Sequence, residues 1–559
     1  MTSMMWRKTY VSAIVFAVLL AICIGDHFLT KRVRESKELS KHIFAFKEDG
    51  VTSVTLVTPT EIISLEKTGK PEEWEMTQPI KTLADKDAVK SMVSDAISAT
   101  RFGEFAVDQT IKLSDYGLDA PTHKLMLKVK DQPRELTLLV GKQSPESGKL
   151  YAKIETEEKI FSIYEYIKDR LDKKPFDLRD RTILAVSVDD VRRVVLARSI
   201  KLPVEIKATS EGATKSVPGF VTKAKEEIVV AKAPTGDWQM EKPVGWKGDT
   251  GEIENLVRKL DTEKVASFID NPTTPSRFGF DTPQIAVQIE QLIQPTDKGT
   301  TATTQTQTLA LTVGDRETSP SRNYYAKRGD GSIVTIGDSL FEALAVKATQ
   351  LRSKQLFALA SADIVRFEIE TAKSNVHLSK NDQGRWLFAD DAATTVDSQA
   401  VNEKVASLLG LRAKDFETDE PASLAQYKLD KPFVRLTVAN KDNKRVESLE
   451  IGDVATRDNE RVVFGRVGGL QSVVLLDVSA ADNFDLPKDK FIDRSLFGFD
   501  VASVVEASVR QIGGTTFTLL RDGDTWKVQR AEDKEPRRIP NYMAEDVVRS
   551  VRDLKFYER

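Results

Sequence analysis

The chain is 559 residues long, 40% hydrophobic and 30% charged, with 82 basic residues set against 85 acidic ones. That length exceeds what a single hydrophobic core sustains and predicts three or four domains. The near-neutral balance supplies no basic face from which counterion release could drive association, so nucleic acid is not expected as a partner.

At the N-terminus, residues 10–25 form an unbroken run of apolar or small side chains. Arg7 and Lys8 precede it; Asp26, His27, Phe28, Leu29, Lys31, Arg32 and Arg34 follow. Counted through Phe28 and Leu29, residues 10–29 reach the roughly 20 positions a helix needs to cross a bilayer. The run predicts an uncleaved, single-pass transmembrane anchor with an extracytoplasmic body beyond it. A cleaved signal peptide would need small residues at A-x-A positions, and none follows the run cleanly. Leu20-Ala21-Ile22-Cys23 is similar to a lipoprotein box that would lipidate Cys23, but Ile22 stands where that box has Gly, Ala or Ser. Basic residues on the C-terminal flank count against export, although long domains translocate regardless of local charge. Cys23 is the only cysteine, which excludes an internal disulfide and a cysteine-based zinc site.

Beyond residue 42 the sequence repeats itself. Trp74, Trp238, Trp386 and Trp526 each follow two strand-like runs and precede an amphipathic helix pattern. The helix stripes expected to be buried are Val89, Met92, Val93, Ala96 and Ile97; Ile253, Leu256, Val257 and Leu260; Val401, Val405, Leu408 and Leu409; and Val547, Val548, Val551 and Leu554. Asp85, Asp249, Asp397 and Asn541 sit where N-capping residues belong. After each helix but the last comes a turn: Tyr116-Gly117-Leu118-Asp119-Ala120-Pro121, Phe278-Gly279-Phe280-Asp281-Thr282-Pro283 and Tyr427-Lys428-Leu429-Asp430-Lys431-Pro432. Proline extends its predecessor and Asp bonds its own backbone, so the turn launches a strand. The strands that follow alternate (Leu125, Leu127, Val129, then Leu136, Leu138, Val140) and end at Gly141, Gly314 or Gly452. In the second copy the polar tract Thr300 to Thr308 predicts a solvent loop. Gly468-Gly469 and Gly513-Gly514 predict hairpin turns. Each full copy closes on a hairpin, a short helix and a basic residue before apolar ones: Arg181, Lys354 and Arg494.

The expected unit is strand, strand, Trp-strand, helix, four strands in hairpins and a closing helix. This is an α+β fold of antiparallel sheet with packed helices. The predicted domains are 1–42 (transmembrane anchor and juxtamembrane segment), 43–184, 185–357 and 358–497 (full repeats), and 498–559, a partial fourth repeat holding the first half only.

These signatures resemble the bacterial domain of unknown function 4340. The likeness rests on the Tyr-x-Leu-Asp-x-Pro turn, the Leu-x-Leu-x-Val-Gly strand end, the Tyr151-Ala152-Lys153 and Tyr325-Ala326-Lys327 hairpins, and the closing Arg-x-Leu/Phe. The third copy departs with Val463-Phe464-Gly465-Arg466. The resemblance implies a protein of the bacterial inner membrane, tethered by one helix, with an accessory role beside ABC-type transporter components. It supplies no catalytic residue.

Reactive chemistry has few candidates. Asp119, Asp281 and Asp430 could be general acids or bases, but their turn setting predicts a backbone role, paired with Arg181, Lys354 and Arg494. The four repeated tryptophans could stack a sugar; beside an amphipathic helix they predict core. His27, His42, His123 and His377 are scattered with no H-E-x-x-H, so a metal site would need carboxylates gathered from elsewhere. Asp189-Asp190 and Asp390-Asp391 lie in polar turns. No nucleophile elbow, Walker loop or dinucleotide fingerprint occurs in its proper context. No cofactor is expected. The sequence therefore predicts a non-catalytic scaffold contacting transporter subunits or an envelope polysaccharide. The alternative is an exported carbohydrate-active hydrolase with its site at a junction between repeats.

Overall fold

Alternating apolar residues become strands where one face can be buried, and the four tryptophan-centred segments each do so. The structure, a computed structural model, describes residues 42–557 apart from 45, 47, 71, 211–212, 273, 294–304, 319–320 and 511. The expected anchor at residues 10–29, with Cys23, lies outside the described residues. Among those described, no helix is long and apolar enough to cross a membrane.

The first repeat opens with β1 (Val51–Val57), β2 (Ile62–Lys67), β3 (Trp74–Gln78), β4 (Thr82–Leu83) and α1 (Lys86–Ser98). It continues with β5 (Phe102–Ala106), β6 (His123–Val129), β7 (Leu136–Gln143), β8 (Lys149–Ile154) and β9 (Lys159–Tyr164), then α2 (Tyr166–Leu171) and α3 (Pro175–Leu178). The second has β10 (Val191–Ser210), β11 (Ala213–Lys232), β12 (Trp238–Lys242), β13 (Trp246–Lys247) and α4 (Thr250–Thr262). After them come β14 (Ser267–Ile269), β15 (Ile285–Ile293), β16 (Gln305–Arg316), β17 (Tyr324–Arg328), β18 (Ile333–Ile336) and α5 (Asp338–Leu344). The third has β19 (Ile364–Thr371), β20 (Asn375–Lys380), β21 (Trp386–Phe388), α6 (Ser398–Leu409) and β22 (Asp415–Thr418). It ends with β23 (Val434–Asn440), β24 (Val446–Arg457), β25 (Glu460–Val467), β26 (Val473–Asp477) and α7 (Ser479–Phe484). Last come β27 (Glu506–Arg510), β28 (Thr516–Asp522), β29 (Thr525–Arg530), β30 (Arg537–Ile539) and α8 (Asn541–Arg552). Four antiparallel sheets with a few helices make the fold α+β.

The residues fall into two compact units, one up to 227 with 254–345, the other 228–253 with 346–559. In the first unit the opening sheet runs β4-β3-β2-β1-β6-β7-β8-β9-β5. Its core gathers Val54, Leu56, Leu65, Met76, Leu125, Leu127, Leu138 and Phe161 under the Val89, Met92 and Val93 stripe of α1. The same unit carries the ladder β10-β15-β16-β17-β18-β14. In the second unit the end of β11 pairs with β12 and β12 with β13, Met240 lying opposite Trp246. The third sheet runs β21-β20-β19-β23-β24-β25-β26-β22, and the four-stranded sheet β27-β28-β29-β30.

Three expectations are corrected. The strand after each main helix (β5, β14, β22) is an additional element: it passes to the far edge and pairs with β9, β18 or β26. Its short, weakly alternating sequence hides it, because only one neighbouring strand shields it. Within the tract read as a solvent loop, Gln305–Thr308 belongs to β16, with Thr308 opposite Glu290 and Gln305 opposite Ile293. Threonine and glutamine are tolerated there because that stretch of β16 is exposed. Asn541 is not a cap: α8 begins at it after Pro540, and its side chain accepts from the Trp526 N–H at 3.2 Å and donates to the Asp524 carbonyl at 2.7 Å. Asp85 and Asp397 do cap, each accepting two N–H groups of its helix's first turn, and Asp249 accepts the Glu252 N–H at 3.2 Å.

Candidate functional site

The positions that recur across the repeats come together in three small constellations. The first surrounds each tryptophan. Trp74, Trp238, Trp386 and Trp526 are between 1% and 6% exposed, so none offers a face on which a sugar could stack. Each lies directly across its hairpin from a cation whose charge sits over the ring: Lys67 at 5.3 Å, Lys232 at 5.2 Å, Lys380 at 4.9 Å and Arg521 at 5.7 Å. The cation covers the outer rim of the ring while the indole body stays in the core.

The second is the turn. Asp119, Asp281 and Asp430 are exposed, and no described ion pair joins them to Arg181, Lys354 or Arg494. Arg494 pairs with Asp489 at 3.0 Å instead, and Arg181 lies over the Phe176 ring at 5.2 Å. The three carboxylates are instead left to solvent and to their own turn, Asp119 accepting the Ala120 N–H at 2.9 Å. The turn's aromatic is the packed element. Tyr116 meets Tyr151 at 4.8 Å, Phe278 meets Tyr325 at 4.7 Å and Tyr427 meets Phe464 at 4.8 Å, all edge to face. Phe464, which departs from the hairpin signature, therefore fills the same place. A Cβ added to Gly141, Gly314 or Gly452 would be driven into the carbonyl oxygen of Tyr116, Phe278 or Tyr427, which explains the glycine at each position; the strands do not end there as expected, because β7, β16 and β24 continue past the glycine with a shift of register.

The third constellation is the strap that follows each closing helix. Asp85 N–H donates to Leu178 C=O at 2.9 Å, Asp249 to Leu351 at 2.8 Å and Asp397 to Phe491 at 2.9 Å, so the strap closes on the N-cap of its own repeat. A few residues later it bridges forward: Val265 N–H to Arg181 C=O at 2.9 Å, Ala413 to Lys354 at 2.7 Å and Phe556 to Arg494 at 2.9 Å. At the segment around Ile43 the donor is reversed, the Ile43 N–H donating to the Ala99 C=O at 2.7 Å. Between the two bridges stands a residue that sequence reasoning passed over. Arg179 binds Asp270 through both terminal nitrogens, at 2.7 and 3.1 Å, and lies 3.7 Å from the Phe268 centroid. Arg352 binds Asp419 at 2.6 Å through both, lies 5.0 Å from the Phe416 centroid and is 1% exposed. Ser472 adds its hydroxyl to Asp419 at 2.8 Å. Burial alone would raise the Asp419 carboxyl, but the hydrogen bonds from Arg352 and Ser472 prevail and hold it below the ordinary carboxylate range. In the third strap Ile492 occupies this position. Aligning Leu178-Arg179-Asp180-Arg181 with Leu351-Arg352-Ser353-Lys354 would have exposed the arginine.

Two clefts involve the first repeat and its strap, one of them reaching Lys264 of the second repeat. One, of about 310 Å³, is walled by Trp74 and Val93 and rimmed by Lys67, Lys86, Lys90, Glu48 and Glu72. Its rim charges pair with one another, Lys86 with Glu72 at 3.2 Å and Lys90 with Glu48 at 3.4 Å. The other, of about 360 Å³, gathers Glu72, Glu73, Asp85, Asp87 and Asp180. Most of these carboxylates are committed: Asp85 caps α1, Asp180 accepts the Thr182 N–H at 2.9 Å, and Glu73 accepts the Thr68 hydroxyl at 2.7 Å, which lowers its pKa. A general acid needs the opposite shift.

Of the histidines, His27 lies outside the described residues, and His377 is half-buried, 3.7 Å from Glu368. His123 is 2% exposed in β6; burial lowers its pKa, with Asp172 at 3.7 Å opposing. Asp390 and Asp391 face Lys488 at 3.1 and 3.9 Å. Among the described residues no three His, Cys, Asp or Glu side chains are grouped to hold a metal ion.

Residues 74–233, 238–393 and 386–558 each match one and the same family, described as a domain of unknown function, DUF4340. The matches begin at Trp74, Trp238 and Trp386, and the third runs on past Trp526. No curated protein and no solved structure matches the chain.

Proposed function

This chain belongs to the DUF4340 family, and on that premise we propose that it is a non-catalytic scaffold of the cell envelope. Residues 10–29 tether it to the bacterial inner membrane, and the repeats beyond them hold a subunit of an ABC-type transporter. One observation carries this reading: the side chains that recur from repeat to repeat are consumed by packing, turn geometry and strap bonding. The repeated tryptophans are buried under cations. The helix-capping carboxylates accept backbone N–H groups. The strap arginines are bound to Asp270 and Asp419. What multiplies along the chain is thus packing, turn and strap chemistry, which suits a holder more than a catalyst.

The hydrolase alternative draws on the carboxylate-lined cleft at Glu72, Glu73, Asp87 and Asp180. The two readings separate when the full chain is incubated with envelope polysaccharides. A scaffold releases no reducing ends above buffer, whether or not it binds. Sustained release that disappears in Glu72→Gln or Asp87→Asn replaces the scaffold with an enzyme.

A further inference from the structure

In the three full repeats the first strand is flanked on both sides. β1 pairs with β2 and β6, β19 with β20 and β23, and β10 has β15 on the corresponding side. Among the described residues the equivalent strand of the last repeat, β27, has β28 alone and forms an edge of its sheet. Arg521 N–H donates to Val505 C=O at 2.8 Å. In an antiparallel ladder these bonds alternate, so odd-numbered backbone groups point to β28 and those of Glu506, Ser508 and Arg510 point to the open side.

We propose that this edge pairs with β27 of a second copy of the chain, antiparallel about Ser508, joining the two four-stranded sheets into one of eight strands. The backbone parity admits that register: Ser508 faces Ser508 of the partner, and Glu506 faces Arg510 of the partner on either side. Each of these pairs exchanges two backbone hydrogen bonds. The charges fit as well. Glu506 and Arg510 are exposed and in no described ion pair, and they stand four residues apart, about 13 Å along a strand, too far to neutralise each other. Across the dyad each meets its opposite. Ala507 meets Val509 on the core-facing side, extending the apolar layer that Ala507 shares with Leu519 and Trp526. Val505, 70% exposed, and Ile512, fully exposed, flank the strand and approach each other's counterparts. Charged side chains blunt an edge strand when nothing opposite neutralises them; the two on β27 are self-complementary. The inference stands on β27 and not on the transporter partner proposed above.

The test uses the full chain in detergent or nanodiscs, with its mass measured by light scattering over a concentration series. The wild type forms a dimer. Glu506→Arg or Arg510→Glu sets like charges opposite each other twice and weakens dimerisation at least about tenfold, while the doubly reversed chain recovers to within about threefold. In a Cys23→Ala background, Ser508→Cys cross-links to itself with a short thiol reagent, and Ser550→Cys on α8 does not. A wild type that stays monomeric overturns the proposal. So do single reversals without effect, a double reversal that fails to recover, and cross-linking of position 508 to a different polypeptide.

Discussion

Removing Asp419 should harm the protein more than removing the arginine it holds. The Arg352 side chain is wholly shielded, whereas Asp419 is a quarter exposed. Asp419→Ala therefore strands a guanidinium in the interior with only Met240 Sδ at 3.3 Å and the Phe416 ring for company. Breaking a buried pair from one side costs about 3–5 kcal/mol, and the partial exposure of Asp419 places this case near about 3 kcal/mol. Arg352→Met leaves a carboxylate that keeps Ser472 and reaches water, so it costs about 1–2 kcal/mol. The double variant should resemble Arg352→Met alone, a coupling of about 3 kcal/mol. The assay is hydrogen exchange in peptides covering Ser353 N–H, bonded to Lys247 at 2.8 Å, and Ala413 N–H, bonded to Lys354 at 2.7 Å. A loss of about 3 kcal/mol speeds their exchange roughly 150-fold. Unchanged protection in Asp419→Ala, or equal damage from Arg352→Met, would refute the assignment of the strap as a joint.

Other outcomes follow from the same geometry. The Asp419 carboxyl is held below its ordinary value, so its contribution is complete above the unfolded pKa of about 3.9 and is lost as pH falls through the folded value; strap protection should persist at pH 5 and collapse only in stronger acid. His123 is also lowered, by burial, so its neutral form stabilises the fold above the unfolded pKa of about 6.5 and that contribution falls away on acidification. A urea titration at pH 7 and 5 should show destabilisation of the first repeat that His123→Leu abolishes. Gly314→Ala, forced against the Phe278 carbonyl, should lower stability by about 2–3 kcal/mol, whereas alanine at the open Gly337 should change it by less than about 0.5 kcal/mol. Asp397→Ala should cost about 1 kcal/mol by releasing the Gln399 and Ala400 N–H groups, read from the denaturant midpoint.

Features governed by neighbours in the chain were legible without coordinates. The tryptophan strands, the helix stripes of the three full repeats and the caps at Asp85 and Asp397 depend on residues within a few positions, and period and turn chemistry reveal them; in the last stripe Val548 is buried, but Val551 and Leu554 are exposed and Leu554 lies beyond α8. Features governed by distant partners were not. β5 pairs with a strand that begins only at Lys159, and its own alternation is too weak to announce it. Arg179 finds Asp270 and Arg352 finds Asp419 far along the chain, while Arg181 and Lys354, two residues on, look equally basic and drew attention instead. Phe464 breaks a hairpin signature at the level of letters, yet its ring makes the contact that Tyr151 makes. Asn541 has the composition of a cap, but Pro540 before it moves the helix start by one residue and frees the amide side chain to tie Trp526 to Asp524.

The scaffold reading is tested most directly by purifying the full chain from gently solubilised membranes and identifying what accompanies it by mass spectrometry. The account predicts subunits of an ABC-type transporter in fixed stoichiometry with the chain, retained when Glu72 and Asp87 are neutralised. Recovery of the chain with no transporter subunit would contradict it.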